Sequence, residues 1–498
     1  MSTGLPQGFH IVLDSGTVVA EDGSLRGGSP ARVLRLSPSG RRALDELRTG
    51  PVRSAAGAAL ARRLTDGGLA HPRPPLSGMG YSVTVVIPVK DRAEPLRQCL
   101  AALGAAHPVV VVDDGSDDPE VFANIALTYS ATLVRRPDCG GPAAARNTGL
   151  SKVDTELVAF IDSDCIPTTG WFEELIPHFA DPLVAAVAPR ILTLRATTSA
   201  GRYGEVAGSL DMGAHEGRVV PGTRIAYVPS AALVVRRDAL RDIGVFDEDL
   251  RYGEDVDLIW RLHEAGLRVR YEPAAQVYHR EPERWTELLA RRFHYGTSAA
   301  PLAQRHPTSV TPLVVHPWHA ATVLAALSGR AVPTALAFGL SVLATRRTLR
   351  RIGLPVEEAT RTTGVGLFQT WLGLGRFMIQ FTGPVLAALL TVRDPKPARR
   401  RFRRAAAASL LLGTPVTTYL DTRPRLDPIR FTLGQFADHT AYGAGVWASC
   451  LRHRTLVPIT PILTRKPRRI SGATTQSTAT QQNATPSTDE RSTSEGLT

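Results

Sequence analysis

The sequence predicts a layered α/β protein, flanked by a small mixed module on its N-terminal side and a helical region on its C-terminal side. Three observations carry this prediction. From Ser82 onward, short apolar runs alternate with helical stretches, the pattern of buried strands joined by crossover helices. Before that lie turn signals and two short helical patterns, and beyond about Glu281 the apolar residues gather into longer stretches. The 498 residues also exceed the roughly 250–300 at which one core stops growing. The expected segments are a module over residues 1–75, an α/β domain over 82–300, a helical basic region over 301–470 and a disordered tail over 471–498.

In the first segment, Phe9 to Leu13 and Thr17 to Ala20 read as short strands around the Asp14-Ser15-Gly16 turn, and Ala31 to Leu36 as another. Ser37 caps a helix that takes Pro38 in its first turn, where a missing amide hydrogen costs nothing. That helix reaches about Leu47, and a second, Ala55 to Leu64, stops at Asp66-Gly67-Gly68. The prolines of His71-Pro72-Arg73-Pro74-Pro75 predict a stiff linker and a domain boundary.

In the second segment, Val83 to Val89, His107 to Val112, Ala131 to Arg135 and Leu157 to Ile161 are strands of a largely parallel sheet. Leu96 to Leu103, Glu120 to Tyr129 and Pro142 to Leu150 are the helices between them. This pattern runs to about Glu281.

Farther on, Ala320 to Ala344, Phe377 to Val392 and Ala405 to Leu420 are apolar. Only the first reaches the roughly 20 residues of a membrane span, and it contains Arg330 and Pro333. Spanning, interfacial and buried helices all remain open for these stretches. Between Arg393 and Arg469 sixteen Lys and Arg stand against four Asp and Glu, an excess equal to the whole chain's +12. A basic block of this kind is a solvated face, a nucleic-acid surface or a partner for anionic membrane, and the interspersed apolar runs favour membrane over nucleic acid. Ser471 to Thr498 has few apolar residues and predicts disorder. The four cysteines show neither paired nor zinc-ligand spacing, and Met1 to His10 shows no secretory signal pattern, so a reducing cytoplasm is expected, with contact to the inner membrane face where the basic region meets it.

Chemistry-bearing residues cluster at strand ends of the α/β segment, where ligands collect in open sheets. Pro88 lies in a buried strand running into Lys90-Asp91-Arg92. Asp113 and Asp114 end the next; such an acidic pair accepts hydrogen bonds from a base and a ribose, although Asp-Asp-Gly-Ser is equally good turn chemistry. Gly140 and Gly141 open a helix carrying Arg146 and Asn147, a place for phosphate at the positive helix end or simply a packing loop. Arg146 would pair with a diphosphate or with the acidic pair. Asp162 and Asp164, spaced i and i+2 after a hydrophobic strand, offer carboxylates of the kind that hold Mg2+ or Mn2+ against phosphate, or form a polar strand end. Glu254 and Asp255 start a helix, as cap and dipole complement or as a general base. His279 ends a late strand as a structural residue or a further metal ligand.

In combination these residues resemble the family 2 glycosyltransferases, whose catalytic domain is a GT-A fold. The resemblance implies donor binding by Pro88, Asp113, Asp114, Gly140, Gly141, Arg146, Asn147 and Asp162. It implies a divalent cation, Mn2+ or Mg2+, on Asp164 and His279, and an inverting reaction with Asp255 as base beside Glu254. Polymerising members carry Gln-x-x-Arg-Trp, from which Arg291-Arg292-Phe293-His294-Tyr295-Gly296 departs. Over roughly residues 8 to 460 the chain is also similar to the mycofactocin glycosyltransferases of actinobacteria, which implies a UDP-glucose donor, a peptide-derived acceptor and β-1,4-linked glucose. Its N-terminal module looks similar to winged-helix peptide-recognition domains, with Arg32 to Ser37 entering the first helix. Two competing readings are a membrane-associated transferase acting on a lipid or polysaccharide and a non-catalytic peptide-binding adaptor; nucleotidyl transfer leaves the Glu254-Asp255 cluster without a role.

Overall fold

The computed structural model describes residues 4–21, 23–75, 80–310, 313–352, 355–393 and 395–463; the expected tail over 471–498 lies outside them. A nine-stranded sheet forms the centre. Its parallel half places Thr132–Arg136, Val109–Asp114, Val83–Val89 and Leu157–Ile161 side by side. Beyond them come Ala232–Arg236, Val184–Thr193, Arg268–His279 and Cys165–Pro167, with the ninth, Gly217–Arg218, paired antiparallel with Arg268–His279 off the main path. Ala232–Arg236 is antiparallel to both neighbours, and Cys165–Pro167 is antiparallel to Arg268–His279. The sheet is therefore mixed, not largely parallel. The later strands were not legible as parallel or antiparallel because both kinds, buried on two faces, read as continuous apolar runs.

Two hydrophobic layers cover this sheet. One contains Val85, Ile87, Leu96, Val111 and Phe179, the other Val86, Val112, Phe160, Leu233 and Leu258. Strand alternation explains the split, since Val85 and Val86 point to opposite faces. Helix Pro142–Leu150 lies close on the second face, and a Cβ on Gly149 would sit 2.3 Å from Val86 Cγ1. Only glycine lets this helix, with Arg146 in it, approach so near.

The N-terminal segment has a core of its own around Phe9, Leu25, Leu44 and Leu64. Ser37 caps helix Pro38–Thr49 as the sequence predicts, its hydroxyl accepting from Gly40 N at 3.1 Å. The expected linker takes another form. Ala70–Arg73 is a strand paired antiparallel with His10–Leu13, and Arg73 bonds both Glu216 oxygens at 2.5 and 2.7 Å. Pro72 is tolerated because the strand belongs to a two-stranded pair with an open side. Buried Arg62 clamps Asp181 in bidentate fashion at 2.7 and 2.8 Å, fastening this segment to the nine-stranded sheet.

The C-terminal region is helical. The apolar stretch Ala320 to Ala344 is divided between Pro317–Leu327 and Ala331–Ile352, Phe377 to Val392 breaks at Thr382 into Ala359–Phe381 and Gly383–Thr391, and Ala405 to Leu420 lies inside Pro397–Thr422. Among the described residues no single helix is long and apolar enough to cross a membrane; one pair, Val356–Phe381 with Gly383–Thr391, meets both conditions only when joined across a 102° bend. The last long helix, Pro428–Arg452, packs on Trp285–Thr297 almost backbone to backbone: a Cβ on Gly445 would lie 2.0 Å from Phe293 O, and one on Gly296 2.2 Å from Tyr442 O.

Candidate active site

Two adjoining cavities open at the strand ends. The smaller, about 450 Å³, is lined by Pro88, Asp91, Asp114, Cys139 and Gly141. The larger, about 620 Å³, is lined by Ser230, Glu254, Asp255, Tyr227, Tyr295 and Tyr442. Arg92, Pro142, Asp162 and Asp164 belong to both. The sheet produces this junction directly, because Asp162 follows strand Leu157–Ile161 and His279 closes strand Arg268–His279.

On the smaller cavity's side the acidic pair holds the chain itself. Asp114 accepts from Gly140 N at 3.0 Å, Gly141 N at 2.7 Å and Arg136 Nε at 2.8 Å, so it folds the glycine loop. Asp113 is fully buried, accepting from Ser116 N at 3.0 Å and pairing with Arg135 Nη1 at 2.5 Å. Asn147 brackets Phe246, donating to its carbonyl at 2.9 Å and accepting from its N–H at 3.1 Å. Of the residues assigned to the donor from sequence, Pro88, Asp114, Gly141, Asp162 and Arg146 line a cavity, whereas Asp113, Gly140 and Asn147 line neither. Spacing showed that these three are near the ligand loops but not which way they face.

Arg146 is the electrostatic hub of the larger cavity. Its buried guanidinium donates to Asp162 Oδ1 at 2.7 Å and to Glu254 Oε1 at 2.9 Å, over the Phe246 ring at 5.5 Å. Within the protein its partners are therefore Asp162 and Glu254, not the acidic pair Asp113 and Asp114. Burial alone would favour losing its proton, but Asp162 and Glu254 hold it charged, above the ordinary arginine value. Burial, and then the charge of Asp255, push Glu254 up to about 7. Asp255 is half-buried and also raised, chiefly by burial, against the stabilising positive charge of Arg146 and the N–H groups of Val256 (2.7 Å) and Ser230 (3.2 Å). Gly253 at φ +82° makes the turn before this helix, and a Cβ there would meet Ser298 Cβ at 2.9 Å.

At the junction, His279 Nε2 lies 3.6 Å from Asp164 Oδ2, and its Nδ1 faces Glu281 Oε1 at 3.4 Å. Among the described residues no group of three His, Cys, Asp or Glu side chains is gathered as a metal site. One imidazole and one carboxylate, with a carboxylate behind the ring, nevertheless fit a hard divalent cation that takes its remaining ligands from phosphate and water.

Several lining residues escaped the sequence reading. Arg92 follows the first strand but carried no assigned role; Arg291, Arg292 and Tyr295 lie in the segment that departs from the polymerase motif; Tyr227 and Tyr442 left no local signal. Tyr442 arrives on helix Pro428–Arg452, by tertiary packing alone.

Residues 84–244 match the family described as Glycosyl transferase family 2. The pre-mycofactocin glycosyltransferase of Mycobacterium tuberculosis (strain H37Rv) is 39% identical over 475 residues, 92% of this chain and 99% of that protein. The chain belongs to the pre-mycofactocin glycosyltransferase family. It is thus a family 2 glycosyltransferase with a GT-A domain, an enzyme class that uses a nucleotide-sugar donor and an acceptor. Glycosyltransferase AglE of Haloferax volcanii is 29% identical over 226 residues, 43% of this chain and 71% of that protein. Among solved structures, the mannosyltransferase PcManGT from Pyrobaculum calidifontis, in complex with GDP-Man and Mn2+, aligns with TM-score 0.42 and 18% identity over 76% of this chain and 90% of that one.

Proposed function

We propose that this glycosyltransferase moves glucose from UDP-glucose to a peptide-derived mycofactocin precursor, with inversion, and extends it into a short β-1,4-glucan. The relative from Mycobacterium tuberculosis, matched over nearly its whole length, supports the acceptor. The observation that carries the chemistry is Asp255, a half-buried carboxylate in the larger cavity that also holds Asp162 and Asp164.

In this reading UDP occupies the smaller cavity, the sugar lies at the Asp162–Asp164 junction, and the acceptor enters the larger cavity. Asp255 takes the acceptor hydroxyl's proton as that oxygen bonds to the anomeric carbon. The bond to the diphosphate breaks on the opposite face and UDP departs, so no enzyme nucleophile is needed. A raised proton affinity suits Asp255 to this role, since a base should sit closer to the working pH than an ordinary carboxylate does. Glu254 holds Arg146, and Arg146 holds Asp162. Asp164 and His279 would hold a divalent cation, which would supply charge neutralisation for the leaving diphosphate. The N-terminal module takes the peptide part of the acceptor.

A second reading, a lipid or polysaccharide acceptor at the inner membrane face, is favoured by one feature. The C-terminal helices expose Leu336, Leu340, Leu412, Val416 and Leu420 together with Arg347, Arg350, Arg399 and Arg401. Mass spectrometry of the enzyme incubated with Mn2+, UDP-glucose and the mycofactocin precursor separates the two. A ladder of hexose additions supports the first reading; UDP release without peptide product moves the acceptor to lipids and glycans.

A further inference from the structure

Arg92 is half-exposed, yet it is placed with care. Its backbone follows Asp91, which holds the left-handed conformation at φ +53°, donates its N–H to Ser116 Oγ at 3.0 Å and accepts from Asp117 N at 2.9 Å. From this anchored turn the Arg92 guanidinium reaches across the junction and pairs with Asp164 Oδ2. That is the same oxygen that His279 Nε2 approaches at 3.6 Å. The Asp164 side chain is only 10% exposed against 52% for Arg92, so the carboxylate is the buried member of the pair and the guanidinium has solvent to swing into. Arg92 also lines both cavities.

One carboxylate oxygen cannot serve a guanidinium and a metal ion from the same side. We propose that Arg92 is the resident counter-ion of Asp164, displaced by the divalent cation and then turned toward the donor's diphosphate. This rests on the donor and metal reading given above and adds a thermodynamic consequence. A cation arriving alone must break the Arg92–Asp164 pair. A cation arriving with a nucleoside diphosphate gives Arg92 a new anionic partner a short swing away. Cation and nucleotide therefore bind with positive coupling beyond their direct contact, and each strengthens the other by the same factor.

The test is Mn2+ binding, read as the loss of the free-ion paramagnetic resonance signal, with and without UDP. It compares wild type, Arg92→Ala, Arg92→Lys and Asp164→Ala. A partly exposed ion pair corresponds to about a threefold to fivefold change in affinity. Arg92→Ala should bind Mn2+ alone about that much more tightly than wild type, and UDP should then improve Mn2+ binding by a smaller factor. Arg92→Lys, which keeps a cation but not its planar fork, should fall between. Mn2+ binding that requires Asp164 but is unchanged or weakened in Arg92→Ala overturns the counter-ion role alone. No Mn2+ binding to wild type even with UDP overturns the metal reading and this one together.

Discussion

Replacing Asp255 by Asn keeps the shape of the side chain and removes its capacity to take a proton. Transfer to acceptor should fall by about 10²–10⁴-fold, the range for losing a general base, while UDP binding measured by calorimetry stays within about twofold; full activity in Asp255→Asn would remove the base assignment. Glu254 makes a different prediction. Its proton affinity in the folded chain is raised to about 7 from an ordinary 4.5. The folded state thus keeps a proton that the unfolded chain releases across this window. The stabilisation is complete below 4.5 and is lost as pH rises through about 7. The melting temperature should therefore decline across that window, with a shallower decline in Glu254→Gln. At this scale the sequence pointed to several residues that line the cavities, among them Asp162, Asp164, Glu254 and Asp255, and was silent about direction. Asp162 and Asp164 both reach the cleft, but from a turn closed by Cys165 N on Asp162 O at 3.0 Å and not by strand alternation, and the turning of Asp113 and Asn147 into the protein depends on partners, Arg135 and Phe246, that no local spacing reveals.

Secondary-structure elements were largely readable where one period dominated. Strand Leu157–Ile161 is an unbroken buried run and Val83–Val89 is buried except at Pro88, and Ser37-Pro38 marks a helix start by its own chemistry. Reading failed at His71 to Pro75, where proline content suggested a linker while the partners that make it a strand, His10–Leu13 and Glu216, lie far away in sequence. The attachment of the N-terminal segment rests on a buried ion pair, so Arg62→Ala should destabilise the protein by about 3–5 kcal/mol, the cost of leaving Asp181 buried without its partner. Chemical denaturation followed by tryptophan fluorescence measures this; a change below about 1 kcal/mol would show that solvent or a neighbour satisfies Asp181. Strand Val18–Val19 is the exposed edge of a three-stranded sheet, a surface to which an extended peptide can add. Val18→Asp should raise the acceptor KM roughly tenfold with donor hydrolysis unchanged if the module takes the peptide as proposed, an increase of about 1.4 kcal/mol in binding free energy.

Across the whole molecule, the cleft is assembled from distant parts of the chain. The carboxylates come from the α/β sheet, Arg291, Arg292 and Tyr295 from helix Trp285–Thr297, and Tyr442 from helix Pro428–Arg452. The last contribution could not be read in advance, since Gly445 looks like an ordinary small residue until its backbone is found against that of Phe293. Tyr442→Ala should raise the acceptor KM more than it lowers donor hydrolysis; an equal effect on both would place Tyr442 outside acceptor binding. The glycine seam at Gly296 and Gly445 also sets a rule for dividing this protein. A chain ending near residue 300 would retain every acidic motif and still present an open trough instead of a walled cleft. Motif completeness and a closed cleft are then separate properties, because one wall of the cleft, Tyr442, comes from the helical region beyond residue 300.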